Sequence, residues 1–145
     1  MDLVPRIDSA TLMAVGPRAF GARAILGVSG GRVDGDGVHG TIRPRSPGFL
    51  VADADGLARV DLHGTLLTDD GVRIAASCAG ILELNAAVEH ALATRTMTGF
   101  GDQRLRVSPR FRTDDARYRW LEREVYVADG HVVPGALECR AHRVR

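Results

Sequence analysis

A carboxylate, an imidazole and a hydroxyl alternate along one short segment, at Asp61, His63 and Thr65, with Val60 and Leu62 on the intervening positions. Side chains of a β-strand point alternately to opposite faces, so this spacing predicts a strand with one apolar and one polar face. A carboxylate two residues from an imidazole can hold it in one tautomer, and the pair could move protons on a bound substrate. The alternative is a polar face that simply points at water.

Arginines alternate in a second segment, Arg104–Arg112, where Arg106 and Arg110 share one face. Guanidinium groups in such a row could bind a carboxylate, a phosphate or an enolate. They could equally mark a solvent-facing edge strand, and Pro109 suits an edge or a bulge.

A third segment brings together Tyr118, Trp120 and Glu122, and holds the only tryptophan. Two aromatic side chains and one acid would suit a small-molecule pocket. Packing in the core or at the end of a barrel is the alternative.

The composition excludes several chemistries. All 19 basic side chains are arginine, so Schiff-base catalysis and a P-loop are ruled out for want of a lysine. The net charge of +1 gives no basic field for nucleic acid. There is no dinucleotide fingerprint, and we expect no cofactor.

No metal site is predicted from the motifs. The segments that start at Asp34 and Asp53 resemble pieces of calcium loops but lack the downstream glutamate, and we interpret them as turns. The five histidines never form the zinc-hydrolase pattern. A metal held between distant strands is the remaining alternative.

Turn signals separate short strand-like runs along most of the chain, which favours an antiparallel barrel or sandwich. Among the turns are Ser29-Gly30-Gly31, Asp69-Asp70-Gly71 and Asp129-Gly130. The predicted strands are 12–15, 24–28, 38–42, 49–52, 58–67, 72–77, 104–112, 124–127 and 137–144.

One segment has helical spacing instead, with apolar residues at Ile81, Leu84, Val88, Ala91 and Leu92. Asn85 can cap this helix of about three turns. A second, shorter helical turn is expected over Asp114–Arg119, capped by Asp115.

The chain as a whole predicts one cytoplasmic domain over residues 1–145. No apolar run approaches the ~20 residues of a membrane span, and the first residues do not read as a secretion signal. Cys78 and Cys139 are too few and too isolated for a disulfide framework.

The sequence resembles the DUF3237 or UPF0311 family, small β-barrel proteins of bacteria and fungi that are grouped as a domain of unknown function. The resemblance covers roughly residues 10–145. The segments that carry it are Gly40–Pro44, Ala58–Ile74, Gly80, Arg106–Thr113 and Tyr118–Leu121.

This resemblance implies a closed antiparallel β-barrel of about eight to ten strands, all-β apart from one short helix. A barrel of that size can hold one small ligand, and we expect Asp61 and His63 to face its lumen. Some members of the family sit in natural-product pathways, where ring closures and eliminations need no cofactor.

The sequence departs from the family pattern at charged positions. His63 replaces a common arginine, Arg112 a usual glutamate and Glu122 a usual asparagine. The segment Arg45–Phe49 replaces a Gly-Gly-Ala-Asp-Trp run, so an acid and a tryptophan are lost. These changes indicate an altered substrate or an abandoned activity.

Our leading hypothesis is a cofactor-independent enzyme that cyclises, isomerises or dehydrates a small, partly apolar, polyketide-like metabolite in the barrel lumen. Asp61 and His63 would be the catalytic pair. The predicted substrate-binding residues are Phe49, Thr65, Arg106, Arg110, Tyr118, Trp120 and Glu122.

Two other functions stay open at this point. The protein could carry a hydrophobic metabolite without transforming it, or serve as an accessory subunit of a biosynthetic enzyme. Its expected partner is a small hydrophobic metabolite, without nucleic acid or membrane, and the chain could pair as a homodimer.

Overall fold

The fold is predominantly β and barrel-like, with one short α-helix. A computed structural model describes the backbone of residues 1–15, 22–44, 46–52 and 56–145, and the side chains of residues 1, 2, 4, 28–44 and 56–145. The strands are β1 (Asp2–Val15), β2 (Ala22–Gly35), β3 (Val38–Ile42), β4 (Ser46–Ala52), β5 (Leu57–Thr68), β6 (Arg73–Glu83), β7 (Leu105–Arg112), β8 (Tyr126–Val133) and β9 (Ala136–Arg143). Helix α1 (Ala86–Thr94) joins β6 to β7, and a 3-10 helix (Arg119–Arg123) joins β7 to β8.

The strands form one antiparallel sheet in the order β1-β9-β8-β7-β6-β5-β3-β2-β4. β1 also pairs with β2, and β5 also pairs with β4. The centre of the sheet is β5-β6-β7, where β6 pairs along its whole length with β5 and over residues 75–82 with β7. Among the described residues, no helix is long and apolar enough to cross a membrane.

The hairpin between β5 and β6 forms at the predicted turn. Gly71 has φ +90°, a conformation that glycine adopts without steric cost. Thr68 accepts a hydrogen bond of 2.8 Å from the Val72 amide, which closes the turn. This turn sets the register in which Thr65 lies opposite Ala75 and His63 opposite Ser77.

Two predicted turns are wrong, because their glycines lie inside strands. Gly130 is in the middle of β8, where a Cβ would come within 2.5 Å of the Glu138 carbonyl oxygen. The glycine is needed there for close approach of two backbones and not for a turn. Gly30 and Gly31 lie within β2, with φ +146° and +143° beside a register shift in the β1–β2 pairing.

The helix forms where it was predicted, but is shorter. Asn85 is its N-cap, and its side chain accepts a hydrogen bond of 2.9 Å from the Val88 amide. Ile81 belongs to β6 and not to the helix. The 3-10 helix begins at Arg119, at the end of the segment that was expected to be helical. Before it, residues 115–118 form a turn, in which the Asp115 side chain accepts from the Arg117 amide and the Asp115 carbonyl from the Tyr118 amide.

The core lies on the inner faces of the strands. Its largest fully buried side chains are Leu66, Ile74, Leu105, Leu121, Val33, Val38, Val88 and Val132. An interior cavity of about 70 Å³ remains, lined almost wholly by apolar atoms and including Cys78 and Cys139 in its wall. A cavity of roughly 150 Å³ binds a single benzene ring, and the space left between the described residues is about half that volume.

Candidate functional site

Asp61 and His63 form a hydrogen-bonded pair on β5. The distance from Asp61 Oδ1 to His63 Nε2 is 2.8 Å. Both residues lie on the same face because they are two positions apart on one strand. With the Nε2 hydrogen donated to Asp61, the lone pair of the neutral imidazole is on Nδ1, which is then the atom that can accept a proton.

This pair lies on the outer face of the sheet, so the expectation that it faces the lumen is wrong. The side chains of His63 and Asp61 are 53% and 55% exposed. Val60 and Leu62, which alternate with them, are buried in the core. The inward face of β5 is therefore apolar, and its polar face is open to solvent.

Two further strands continue the row that starts at His63. Ser77 on β6 is directly opposite His63, and Arg110 on β7 is directly opposite Ser77. Three side chains from three adjacent strands are thus aligned across the sheet. Two interstrand spacings place His63 and Arg110 about 9.5 Å apart at the backbone.

An open cleft of about 620 Å³ lies over this row. Its shape follows from the residues on the outer face of β6, where Ala75 and Ser77 are small and the flanking strands carry longer side chains. His63 on one side and Arg110 and Arg112 on the other form the walls. About half of the lining surface is polar, unlike the interior cavity.

Glu122 supplies the carboxylate of the cleft lining. It lies on the 3-10 helix, and its Oε1 accepts a hydrogen bond of 2.5 Å from the Thr113 amide just after β7. This contact holds the 3-10 helix against the end of β7. In the part of the chain that the structure describes, no group of three or more His, Cys, Asp or Glu side chains is placed to hold a metal ion.

Two of the other predicted site residues do not line the cleft. Arg106 shares the outer face of β7, but it is about 13 Å from Arg110 along the strand and its guanidinium donates to the Leu105 carbonyl. Thr65 is half-buried on β5, opposite Ala75. Phe49 lies outside the residues whose side chains are described, although its backbone pairs with Asp61.

Tyr118 and Trp120 are not brought to the cleft. The Tyr118 hydroxyl donates to Asp70 in the β5–β6 turn. Trp120 is half-buried and packs against the core, near Gly37 of the β2–β3 turn. The structure places both aromatic residues at one end of the sheet, where they pack instead of lining a small-molecule pocket.

Sequence reasoning missed Ser77 and Arg112 as cleft residues. Strand β6 was expected to end at Ser77, and it continues to Glu83. The signal that could have identified Ser77 is the alternation of small residues at Ala75, Ser77 and Ala79, which form the outer face of a central strand. His63, Arg112 and Glu122, which the resemblance marks as departures from its pattern, all line this one cleft.

Comparison with known protein families gives a match over nearly the whole chain. The sequence model described as "Protein of unknown function (DUF3237)" matches residues 2–144. A UPF0311 protein of Rhodopseudomonas palustris (strain ATCC BAA-98 / CGA009) is 26% identical over 129 residues, which cover 86% of this chain and 80% of that protein.

Solved structures share the fold at low sequence identity. A conserved protein of unknown function from Rhodopseudomonas palustris has a TM-score of 0.88 at 23% identity, over 99% of this chain and 93% of that chain. A beta-barrel-like protein from Acinetobacter baumannii AYE has a TM-score of 0.81 at 23% identity, over 99% and 92%. A protein described as an enzyme from Penicillium herquei has a TM-score of 0.70 at 17% identity, over 99% and 91%. At these identities the likeness extends to the fold alone.

Proposed function

Because the chain belongs to the DUF3237 family, whose function is unknown, we propose its activity from the cleft: cofactor-independent acid–base catalysis on a small, partly apolar metabolite. The observation that carries this proposal is the 2.8 Å contact between Asp61 and His63 at the wall of an open cleft. The reaction class is cyclisation, isomerisation or dehydration. In each, a proton is taken from the substrate and then returned to it, or passed to the hydroxide that leaves as water in a dehydration. A distant structural neighbour that is described as an enzyme is compatible with catalysis on this fold.

His63 is the proton-transfer residue in this proposal. Nδ1 removes a proton from the substrate, and the imidazolium that forms is stabilised by the carboxylate of Asp61. Both side chains are more than half exposed, so solvent screens their charge interaction. The main contribution of Asp61 is therefore to fix the tautomer and the ring orientation of His63.

Negative charge that develops on the substrate is stabilised by Arg110. It lies across Ser77 from His63, so a substrate that spans the cleft floor touches both groups. A guanidinium aimed at a developing oxyanion lowers the barrier because its charge is already in place before the reaction.

A metabolite carrier with its ligand inside the barrel is the less favoured alternative. The interior cavity, as the described residues bound it, is about 70 Å³ and so smaller than the roughly 150 Å³ of a cavity that binds benzene. The outer cleft is about nine times larger in volume, at about 620 Å³ against 70 Å³, and is half polar.

The barrel itself is part of the proposal. β1 pairs with β9 on one side and with β2 on the other, and the pairing with β2 extends over most of β1. These pairings support a closed barrel built from the nine strands.

The test is deuterium exchange at an acidic C–H group. Phenylacetone, an uncharged ketone, is incubated with the protein in heavy water, and the loss of its methylene proton signal is followed by NMR. We expect His63→Ala to lower the protein-dependent rate by about two to four orders of magnitude. Asp61→Asn should lower it less, because the imidazole is retained but loses its orientation.

A second histidine–aspartate pair supplies the matched control. His39 Nδ1 lies 3.0 Å from Asp34 Oδ1, and the His39 side chain is 57% exposed, but the pair is outside the cleft. His39→Ala should leave the exchange rate unchanged. If both histidine variants exchange phenylacetone at the wild-type rate, the proposed function is wrong.

A further inference from the structure

We propose that the cleft selects carboxylate-bearing molecules, with Arg110 and Arg112 as the anion-binding residues. This inference rests on the proposed function, and adds the chemical class of its substrate. It narrows the small hydrophobic metabolite that the sequence suggested to an amphiphilic anion.

The first observation is that these two guanidinium groups have no ion-pair partner among the described residues. Neither forms an ion pair within 4.0 Å, whereas Arg32 and Arg117 at the end of the sheet each pair with two aspartates. Arg110 and Arg112 lie on the same outer face of β7, both exposed and both lining the cleft. Their Cα atoms are about 6.7 Å apart, so their forks can approach one small anion together.

The second observation is the charge balance of the cleft. Its lining contains two guanidinium groups and one carboxylate, that of Glu122. One oxygen of Glu122 is occupied by the Thr113 amide, and the carboxylate makes no ion pair with either arginine. The lining itself therefore carries one net positive charge when His63 is neutral, while the Asp61 carboxylate is outside the lining and bonded to His63. The positive charge is concentrated at Arg110 and Arg112, and this part of the cleft attracts an anion.

The third observation is the distance between the anion-binding residues and the catalytic pair. Arg110 is separated from His63 by the width of one strand, at Ser77. When Arg110 and Arg112 hold the carboxylate of a ligand, the ligand's carbon atoms that are a few bonds from that carboxylate lie over the Ser77 hydroxyl. These atoms then lie next to His63 Nδ1, which fits a small carboxylic acid with an acidic C–H group near its carboxylate.

The experiment compares two ligands of almost the same shape. Benzoate and benzamide differ in charge, and each is titrated at low ionic strength into ¹⁵N-labelled protein while amide resonances are followed. We expect benzoate to shift the resonances of Ala75, Ser77 and Arg110, and to bind at least about tenfold more tightly than benzamide.

Charge-matched double variants distinguish a site from general attraction. R110Q/R112Q should weaken benzoate binding by about tenfold or more. R59Q/R104Q removes the same charge from exposed arginines outside the cleft, and should change binding by less than about twofold.

Three results would overturn the inference: no benzoate binding, equal binding of benzoate and benzamide, or equal weakening by the two double variants. Its failure is separable from failure of the proposed function. Phenylacetone carries no charge. His63-dependent exchange of phenylacetone without a preference for benzoate would therefore support the proposed acid–base catalysis and contradict only the selection of carboxylates. Selective benzoate binding without exchange of phenylacetone would support the selection of carboxylates and contradict the proposed catalysis.

Discussion

Tyr118 donates a hydrogen bond of 2.6 Å to Oδ1 of Asp70, and so joins the segment before the 3-10 helix to the β5–β6 turn. The same carboxylate accepts from the Thr68 hydroxyl and pairs with Arg117 at 3.0 Å. Two segments that are distant in sequence, the β5–β6 turn and residues 117–118, therefore meet at one side chain. The 3-10 helix that follows Tyr118 carries Glu122, so this contact helps to position one wall of the cleft.

Removing the Tyr118 hydroxyl should destabilise the protein in a pH-dependent way. The hydrogen bonds from Thr68 and Tyr118, with the charge of Arg117, lower the pKa of Asp70. A lowered carboxyl pKa contributes stability above the unfolded value of about 3.9, and that stability is lost as pH falls through the folded value. Tyr118→Phe should thus lower the urea midpoint at pH 7, and the deficit should shrink in acid.

Tyr126→Phe is the control for this prediction. The Tyr126 hydroxyl is buried and has no hydrogen-bond partner among the described residues, so its removal should not destabilise the protein. Equal losses in the two variants would contradict the role of the Asp70 contact.

Both native cysteines should resist alkylation in the folded protein. Burial, with a smaller effect of the Asp61 charge, raises the pKa of Cys78 to about 12, and burial also raises the pKa of Cys139. Since the thiolate is the reactive form, iodoacetamide at pH 8 should modify neither residue until urea is added. Ala79→Cys places a thiol on the exposed face next to Cys78 and should react at once. Labelling is followed by mass spectrometry, and rapid labelling of Cys78 in the folded protein would contradict this prediction.

Gly80→Ala should disrupt the pairing of β6 with β7. A Cβ at Gly80 would lie 2.0 Å from the Arg106 carbonyl oxygen, so the two strands would have to separate. We expect a loss of about 3 kcal/mol or more, measured by urea unfolding. Gly101→Ala meets no atom within 4 Å and should stay within about 0.5 kcal/mol of wild type. A normal midpoint for Gly80→Ala would be incompatible with this register.

Glu122→Gln should strengthen benzoate binding if the cleft selects anions. Glutamine keeps the oxygen that accepts from the Thr113 amide, so the variant removes only the negative charge. We expect affinity to rise by roughly threefold at low salt and the gain to decline as salt is added. An unchanged or weakened affinity, determined in the same NMR titration, would count against the charge-balance argument.

Local patterns predicted most of the elements. Alternation identified β5, the residue types Asp-Asp-Gly identified the turn at 69–71, and helical spacing identified the helix that Asn85 caps. Each of these signals depends on residues close in sequence. The turn predicted at Asp129-Gly130 is wrong because a glycine can be required either by a turn or by close contact with another strand. Gly130 is required by its contact with β9, and only the pairing of these strands shows that contact.

The site was predicted less well, for a related reason. The pairing of Asp61 with His63 follows from a spacing of two on one strand, and the sequence suffices for that. The direction of this face depends on which side of the barrel holds the core. Val60 and Leu62 are aliphatic and bury inward, so they compete with any polar face for the interior and exclude it. Arg112 and Glu122 meet in the cleft only through the fold around Thr113.

Because side chains alternate along each strand, Val60 and Leu62 point inward, and the residues that pack the core are different from those that line the cleft. Inward positions form the packed core, while outward positions such as His63, Ser77 and Arg112 would, under the proposed function, determine what the cleft recognises. Substitutions at the outward positions leave the packed interior intact, so ligand preference is free to diverge among proteins that keep one stable scaffold.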